Sequence, residues 1–296
     1  RSLKKTEPPA PMGPPKADKI VYIVVDCLRA DRVGAYGFEK PTTPSIDSIA
    51  KEGVLFENAH AASPWTAPSF GTLFTGVSPT VHGAGGILAK GSNNGKRIHG
   101  VTVGGLRKDL PTMAELLPKG MKKGAVVNNS FVCEELGYAE GFDHFDHQIA
   151  RLTRYRTADK VTDAGIEWLE DNGDDPFLLF LHYFDPHIQY GPPKRYLPKW
   201  APDRPRRIAY PFTDHSSARN GSLDPNEAEK DFIKGLYYGE TRFADDEIGR
   251  LLEFMEKTGL DDEAWIIVMA DHGEEQFDHG SFDHGHRYED EVTRVP

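Results

Sequence analysis

Three apolar segments of this 296-residue chain each end in side chains that could bind a metal ion. KIVYIVV leads into Asp26, and FLLFLHYF leads into Asp185, with His187 just beyond it. AWIIVMA is followed directly by Asp271 and His272. Carboxylate oxygens and imidazole nitrogens together suit a divalent cation. The residue types therefore predict a metal site, provided that the three segments meet in space.

The same segments are predicted to be buried strands, because each is short, apolar and bounded by polar residues. Residues 44–53, 157–171 and 232–257 have the apolar spacing and end signals of helices. Strands that alternate with helices indicate an α/β fold with a largely parallel central sheet flanked by helices. In such a sheet the carboxyl ends of the strands share one edge, where sites commonly lie.

The other segments give an outline of the domain. A Pro-rich tether is predicted at residues 1–18, and one catalytic domain at 19–296, with a polar insertion at about 190–231. Residues 54–59 and 124–129 are predicted strands, 63–76 a loop entering a helix, 112–117 a helix, and 83–105 a surface loop. Basic residues between 194 and 207 would attract an anionic substrate or are simply solvated. A further strand could start at the last residues, so we expect a C-terminal truncation.

Composition argues against several classes of protein. A formal net charge of −11 is unlike that of a nucleic-acid-binding protein, which usually has a basic face. Two cysteines give neither a disulfide framework nor a paired-cysteine zinc site, and no apolar stretch reaches the roughly 20 residues of a membrane-spanning helix. Because the chain opens on its tether without methionine, we expect an extracytoplasmic protein whose missing N-terminus carried an export signal or membrane anchor. A plain flexible tail is the alternative.

Several short motifs occur in a characteristic order along the chain. They are DCLRAD at 26–31, TAPSFGTLFTG at 66–76, HYFDPH at 182–187 and DHGE at 271–274. Each motif alone is weak, but their collinear order resembles the sulfatase-like branch of the alkaline phosphatase superfamily. The resemblance covers nearly the whole chain after the tether. It implies an alkaline phosphatase-like α/β sandwich that hydrolyses phosphoric or sulfuric esters.

The position of the nucleophile departs from the sulfatase signature. In sulfatases a cysteine before a ProSerArg sequence becomes formylglycine, and the corresponding residue here is Thr66, with Phe70 in place of the arginine. Threonine cannot become formylglycine. Thr66 instead resembles the threonine nucleophile of phosphodiesterases and phosphoglycerol transferases of the same superfamily. The alternative is that Thr66 only caps the helix that it precedes.

The implied metal ligands also depart from the calcium sulfatases, which pair two aspartates after the first strand. Here Asp26 is followed by Cys27, and Asp271 by His272. Together with Thr66 these residues favour zinc or manganese over calcium or magnesium, because imidazole nitrogen replaces carbonyl oxygen. Cys27 is either a further ligand or a small buried apolar residue, and the second interpretation is favoured.

The resemblance also implies roles for two histidines. His187 and His284 would bind the anionic ester group or protonate the leaving group. With Asp185 they could hold a second cation, although one metal ion is favoured over two. Glu274 could orient a ligand imidazole from behind, or it is an ordinary acid at the start of a local turn.

These features predict a metal-dependent hydrolase that forms a covalent ester on Thr66. Phosphate or phosphodiester groups are the first expected substrates and sulfate esters the second, carried by a small molecule, a glycan or a lipid headgroup. A phosphoglycerol- or phosphoethanolamine-type transferase would use the same intermediate. A non-catalytic glycan-binding protein is a third possibility, which the complete set of site residues argues against.

Overall fold

The computed structural model describes residues 18–88, 95–98, 100–148 and 156–296. The predicted tether at 1–18 therefore lies outside the described residues, apart from Asp18. The strands of the described residues are, in chain order, β1 (Lys19–Val25), β2 (Ala59–His60), β3 (Ile87–Leu88), β4 (Gly95–Ile98), β5 (Val101–Gly104), β6 (Lys122–Val127), β7 (His144–His147), β8 (Phe177–Tyr183), β9 (Ala264–Ala270), β10 (Glu275–Gln276), β11 (Phe282–Asp283) and β12 (Arg294–Val295).

The α-helices of the same residues are α1 (Pro44–Glu52), α2 (Thr66–Thr75), α3 (Pro79–His82), α4 (Met113–Leu116), α5 (Ala158–Asn172), α6 (Leu197–Trp200), α7 (His215–Arg219), α8 (Glu227–Thr258) and α9 (Asp290–Thr293). Short 3₁₀ helices cover Ala30–Arg32, Gly34–Tyr36, Glu134–Leu136 and Lys194–Tyr196. Within the described ranges, no helix combines the length and the apolar character needed to cross a bilayer.

The central sheet has five strands in the order β7-β6-β8-β1-β9, and all of its neighbouring pairs are parallel. β1 lies between β8 and β9, with Val25 opposite Tyr183 on one side and Ala270 on the other. The three predicted strand ends therefore reach the same edge of the sheet at the same level. The predicted α/β architecture is confirmed.

Apolar side chains cover both faces of this sheet. Because side chains alternate along a strand, Leu179 and Leu181 of β8 face a core shared with α5 and α8, whereas Phe180 faces a second core shared with α2. Every residue of β8 is buried, as expected for a central strand of a parallel sheet. Helices thus pack on both faces of the sheet whose edge carries the candidate side chains.

Two local predictions are wrong. Of the predicted strand at 54–59, only Ala59 belongs to a strand, because its partner β12 offers just two residues for pairing. Residues 83–105 contain an antiparallel sheet, β3-β5-β4, rather than only a surface loop, within the part of that segment that the structure describes. Its glycines allow close strand packing, since a Cβ on Gly95 would lie 2.4 Å from the carbonyl oxygen of Val103.

The segment predicted as an insertion packs against α8. Its side chains Tyr190, Ile208 and Phe212 share an apolar cluster with Leu236 of that helix. α8 begins at Glu227 rather than at residue 232, because the side chain of Asn226 and that of the third helical residue form a capping box. The bounds of the insertion stay a prediction.

Candidate active site and metal centre

The carboxyl edge of the central sheet brings four of the predicted site residues together. Asp26 follows β1, while Asp271 and His272 follow the adjacent strand β9, and all three have no exposed surface. Thr66 is the first residue of α2 and is 3% exposed. The sequence patterns for the strand ends and for the helix start therefore converge on one place.

Asp26 is held by two neighbours through one of its oxygens. His182 Nε2 lies 3.2 Å from Oδ2, and Asn129 donates to the same oxygen at 3.1 Å. The backbone N–H of Asn128 donates to His182 Nδ1, so His182 is the tautomer whose Nε2–H donates. Burial would raise the pKa of Asp26, but the imidazoles of His187 and His182 hold that pKa below its ordinary value. Oδ1 is left to face the centre of the site.

Asp271 has one oxygen satisfied and one without a partner. Its Oδ1 accepts the backbone N–H groups of His272 at 2.9 Å and of Cys27 at 3.3 Å. Oδ2 is buried and has no hydrogen-bond partner among the described residues. Burial, followed by the charge of Asp26, raises the pKa of Asp271 well above its ordinary value. A buried carboxylate oxygen without a partner lowers the stability of the fold unless an ion or a hydrogen-bond donor contacts it.

His272 presents an unprotonated nitrogen to the same centre. Its Nδ1–H donates to the carbonyl oxygen of Gly273 at 2.9 Å, which leaves a lone pair on Nε2. That nitrogen lies 3.3 Å from Thr66 Oγ1, 3.3 Å from Asp271 Oδ2 and 3.6 Å from Asp26 Oδ1. Burial lowers the pKa of His272 to about 3. A neutral imidazole held by a backbone carbonyl is the usual form of a metal ligand.

Thr66 is not the cap of its helix. The N-cap position of α2 is Trp65, which makes no side-chain capping bond, and the Thr66 hydroxyl contacts His272 instead. Ser69 Oγ donates to the carbonyl oxygen of Asp271 and so ties the first turn of α2 to the end of β9. The Thr66 hydroxyl is therefore positioned for a role at the site. The positive end of the helix dipole would favour negative charge beside it.

Taken together, these donors fit a divalent cation. Two carboxylates, one neutral imidazole and one hydroxyl converge, and the unpartnered oxygen of Asp271 is free to bind a positive partner. Asp26, Cys27 and His272 also place ligand atoms within 4.8 Å of one another. The residues that would hold the ion are thus Asp26, Thr66, Asp271 and His272.

His284 lies next to this centre, beside carboxylates that favour its protonated form. Its ring is 4.5 Å from that of His272, and its Nδ1 lies 3.1 Å from Glu274 Oε1 and 3.2 Å from Asp283 Oδ1. Burial lowers the pKa of His284, but the carboxylate of Glu274 outweighs it and raises the pKa to about 9. With 13% of its side chain exposed, His284 lies at the accessible side of the site.

His187 complements His284 with a neutral ring. The two rings are 5.0 Å apart, and His187 stacks on Phe184 at 4.3 Å. Its Nδ1–H donates to the carbonyl oxygen of Ile188 at 2.5 Å, and burial lowers the pKa of His187. His187 is therefore suited to accept a hydrogen bond through Nε2, whereas His284 is suited to donate one.

The structure does not bring Asp185 to the site. Its Oδ2 accepts the backbone N–H of Ala158 at 2.9 Å and so satisfies the first turn of α5. The groups of described side chains that could share an ion do not include it. The chain turns after β8, so the side chain of Asp185 faces α5 and not the sheet edge. A second cation held by Asp185 is not supported.

The substitution Asp185→Asn should leave bound metal unchanged and alter only the pH dependence of stability. Burial raises the pKa of Asp185 from 3.8 to about 7. Its contribution is therefore fully present below pH 3.8 and is lost as the pH rises through 7, by up to about 1.4 kcal/mol per pH unit. Denaturant unfolding at pH 5 and pH 8 should show a smaller loss in the variant, since Asn keeps the acceptor but not the charge. Loss of metal in this variant would restore Asp185 as a ligand.

Sequence reasoning missed two supporting residues and undervalued others. Asn129 comes just after β6, so the strand-end pattern could have found it. His182 could be a satisfied core histidine on sequence grounds, and in the structure its Nε2 lies 3.2 Å from Asp26 Oδ2. Glu274 was placed behind a ligand imidazole and is bonded to His284. Cys27, interpreted as an apolar residue, contacts Asp26 through its sulfur.

The fold and the sulfatase family match place the chain in the alkaline phosphatase-like sulfatase superfamily, and its sheet edge brings the hydroxyl of Thr66 beside Asp26, Asp271 and His272. The sulfatase family model matches residues 18–296, so the chain belongs to the sulfatase family. The uncharacterized sulfatase YidJ of Escherichia coli (strain K12) is 23% identical over 95% of this chain and 62% of its own length. This chain thus spans less than two thirds of that relative.

Solved structures share the fold. The 2-O GAG sulfatase BT1596 superposes with a TM-score of 0.72, at 19% identity over 95% of this chain and 63% of its own. The phosphonate monoester hydrolase of Agrobacterium radiobacter has a TM-score of 0.71, at 18% identity over 94% of this chain and 67% of its own. A sulfatase and a phosphonate hydrolase thus share this architecture, so the fold alone does not indicate whether the substrate is a sulfur or a phosphorus ester.

Proposed function

We propose that this chain is a metal-dependent hydrolase of singly charged sulfate esters, in which Thr66 is the nucleophile. The observation that carries the proposal is the 3.3 Å contact between Thr66 Oγ1 and His272 Nε2, inside a buried cluster with Asp26 and the unpartnered oxygen of Asp271. The sulfatase family match supports sulfur as the central atom. A glycan is the favoured carrier, since BT1596 is a GAG sulfatase.

The reaction follows from the positions of the side chains. When bound, the cation supplies positive charge that favours the deprotonated hydroxyl and stabilises charge on the ester oxygens. Thr66 Oγ1 loses its proton to solvent and forms a bond to sulfur as the bond from sulfur to the alcohol oxygen breaks, and that oxygen takes a proton from His284. Water then attacks sulfur and breaks the Oγ1–S bond. Sulfate leaves, and Thr66 and His284 recover their protons from water.

The charges around the site favour a monoanion as substrate. Among the described residues, no lysine or arginine forms a hydrogen bond or ion pair with Asp26, Asp271 or His284. The partners that could carry positive charge are histidines. Arg29 is 1% exposed and is occupied by Asp31 and Asp278. One cation and one imidazolium offer limited compensation for a dianion. A sulfate monoester or a phosphodiester therefore fits better than a phosphate monoester.

Turnover of four model esters tests this function. Aryl sulfate, bis-aryl phosphate, phosphonate monoester and aryl phosphate should be assayed with zinc, manganese and calcium. We expect aryl sulfate to be hydrolysed fastest and the dianionic aryl phosphate slowest. Faster turnover of the bis-aryl phosphate or the phosphonate would identify a phosphodiesterase, which the structural likeness to a phosphonate hydrolase favours as the second candidate. No turnover of any ester would contradict a hydrolase.

His284→Gln should slow esters with poor leaving groups far more than esters with good ones. A positioned general acid contributes about 10²- to 10⁴-fold, and only when the leaving oxygen needs a proton. Activities of the two enzymes should be compared across aryl sulfates of graded leaving-group pKa. His279→Gln is the matched control, because His279 pairs with Glu291 at the surface. An equal loss for all leaving groups would assign His284 to anion binding.

A further inference from the structure

Cys27 lies between the proposed metal ligands and the two site histidines. Its sulfur is 3.4 Å from Asp26 Oδ1, 3.8 Å from His272 Nδ1 and 3.7 Å from His284 Nδ1, and the residue has no exposed surface. With Asp26 and His272 it forms a group of side chains whose ligand atoms lie within 4.8 Å of one another. Polar and charged groups therefore surround the sulfur, which argues against a purely apolar packing role for Cys27.

The backbone holds Cys27 in an unusual conformation. Its φ angle is 59°, in the left-handed region that residues other than glycine seldom adopt. The hydroxyl of Tyr237, on α8, donates to the Cys27 carbonyl oxygen at 2.9 Å, and the Cys27 N–H donates to Asp271 Oδ1 at 3.3 Å. Both bonds fix the sulfur at the edge of the sheet. An unfavourable backbone conformation persists only where surrounding contacts hold it in place, and such conformations are common at functional sites.

A cation bound by Asp26 would lie next to the thiol, because Cys27 Sγ is 3.4 Å from Asp26 Oδ1. A coordinated thiol loses its proton to solvent, because the ion supplies compensating charge. The carboxylates of Asp26 and Asp271, both in contact with Cys27, would attract such an ion.

We propose that Cys27 Sγ is a ligand of the cation and makes this a thiolate zinc site. This inference rests on the proposed function, because it concerns the same ion. A second observation points to that ion independently, namely the buried Asp271 oxygen without a partner. Thiolate is a soft ligand that selects zinc, whereas calcium, magnesium and manganese prefer oxygen. Cys27 thus determines which metal the site takes.

Cobalt substitution tests the ligand directly. The full chain is stripped of divalent ions and titrated with Co²⁺, a spectroscopic substitute for zinc. We expect the near-ultraviolet sulfur-to-cobalt charge-transfer band to grow with the bound metal and to saturate at one ion per chain. Cys27→Ser should bind Co²⁺ without this band. Cys133→Ser is the matched control and should keep it, since Cys133 is the other buried cysteine and its sulfur contacts Lys96.

A second variant tests the selectivity. Cys27→Asp should lower the affinity for zinc relative to calcium by roughly 10- to 100-fold, the range that even outer groups of metal sites produce. Competition between the two ions, followed by metal analysis of the desalted protein, measures this ratio without an activity assay. The wild-type spectrum needs no variant, so a poorly folded Cys27 mutant leaves the test intact.

The outcomes separate this inference from the proposed function. Co²⁺ bound without a charge-transfer band, or a band that Cys27→Ser retains, would overturn the thiolate ligand while the metal site stands. An unchanged zinc-to-calcium ratio in Cys27→Asp would overturn the selectivity. If the chain binds no divalent ion at all, both the thiolate site and the metal-dependent function are wrong.

Discussion

Replacing Thr66 with alanine should lower kcat by about 10⁴-fold or more, as the loss of a covalent nucleophile typically does. The hydroxyl is the one side-chain oxygen from α2 in contact with His272 Nε2, among the described residues. Water in the space left by the hydroxyl would lack its position on the helix. Michaelis–Menten kinetics on an aryl sulfate measure the effect. Activity close to that of the wild type would remove Thr66 from the mechanism.

Two further variants show whether the loss of activity in Thr66→Ala comes from the missing hydroxyl. Thr66→Ser keeps the hydroxyl and should retain substantial activity. Thr75→Ala removes a hydroxyl from the same helix that, within the described part of the chain, bonds only the carbonyl oxygen of Gly71, so it should leave kcat unchanged. Alanine suits helical positions, so we expect unfolding free energies of Thr66→Ala and wild type to agree within about 1 kcal/mol. A large stability loss would attribute the kinetic defect to misfolding.

Asp271→Asn should release the cation and lower kcat/KM by about 10³-fold, or about 4 kcal/mol of transition-state stabilisation. Asparagine can still accept the backbone N–H groups of Cys27 and His272 through one oxygen. It places an NH₂ group where the unpartnered Oδ2 lies, and that group cannot bind a cation. Metal content after dialysis and kinetics at rising zinc concentration measure both effects.

The matched control for this change is Asp245→Asn. Asp245 is a buried carboxylate that accepts the N–H groups of Ser45 and Ile46 at the start of α1, away from the sheet edge. It should lose stability but keep its metal and its activity per folded molecule. If Asp271→Asn binds zinc as tightly as the wild type, the assignment of the ligands is wrong.

Much of the site could be predicted because it follows from periodicity. Apolar runs that end at Asp26 and Asp271 belong to neighbouring parallel strands, and register then places their ends at one level. Thr66 follows from a helix start with Pro68 in its first turn. These are local patterns, and in a parallel sheet the residues that follow neighbouring strands lie close together.

The other residues depend on contacts that spacing does not encode. Asp185 also follows an apolar strand, but the chain turns there and its carboxylate reaches α5. Cys27 is oriented by Tyr237, from a helix some 200 residues later in the sequence. The charge of His284 is set by Glu274 across a loop. Such long-range pairs determine the chemistry of a residue only after folding has brought them together.

Rapid quenching during turnover would trap the covalent ester on Thr66 itself. The wild-type protein, loaded with zinc and mixed with an aryl sulfate that has a good leaving group, is quenched in acid and its peptides are mapped by mass spectrometry. We expect a sulfate ester on Thr66 that forms and decays at rates compatible with turnover, and that is absent from Thr66→Ala. Turnover without any ester on the enzyme, or with the ester on another residue, would contradict it.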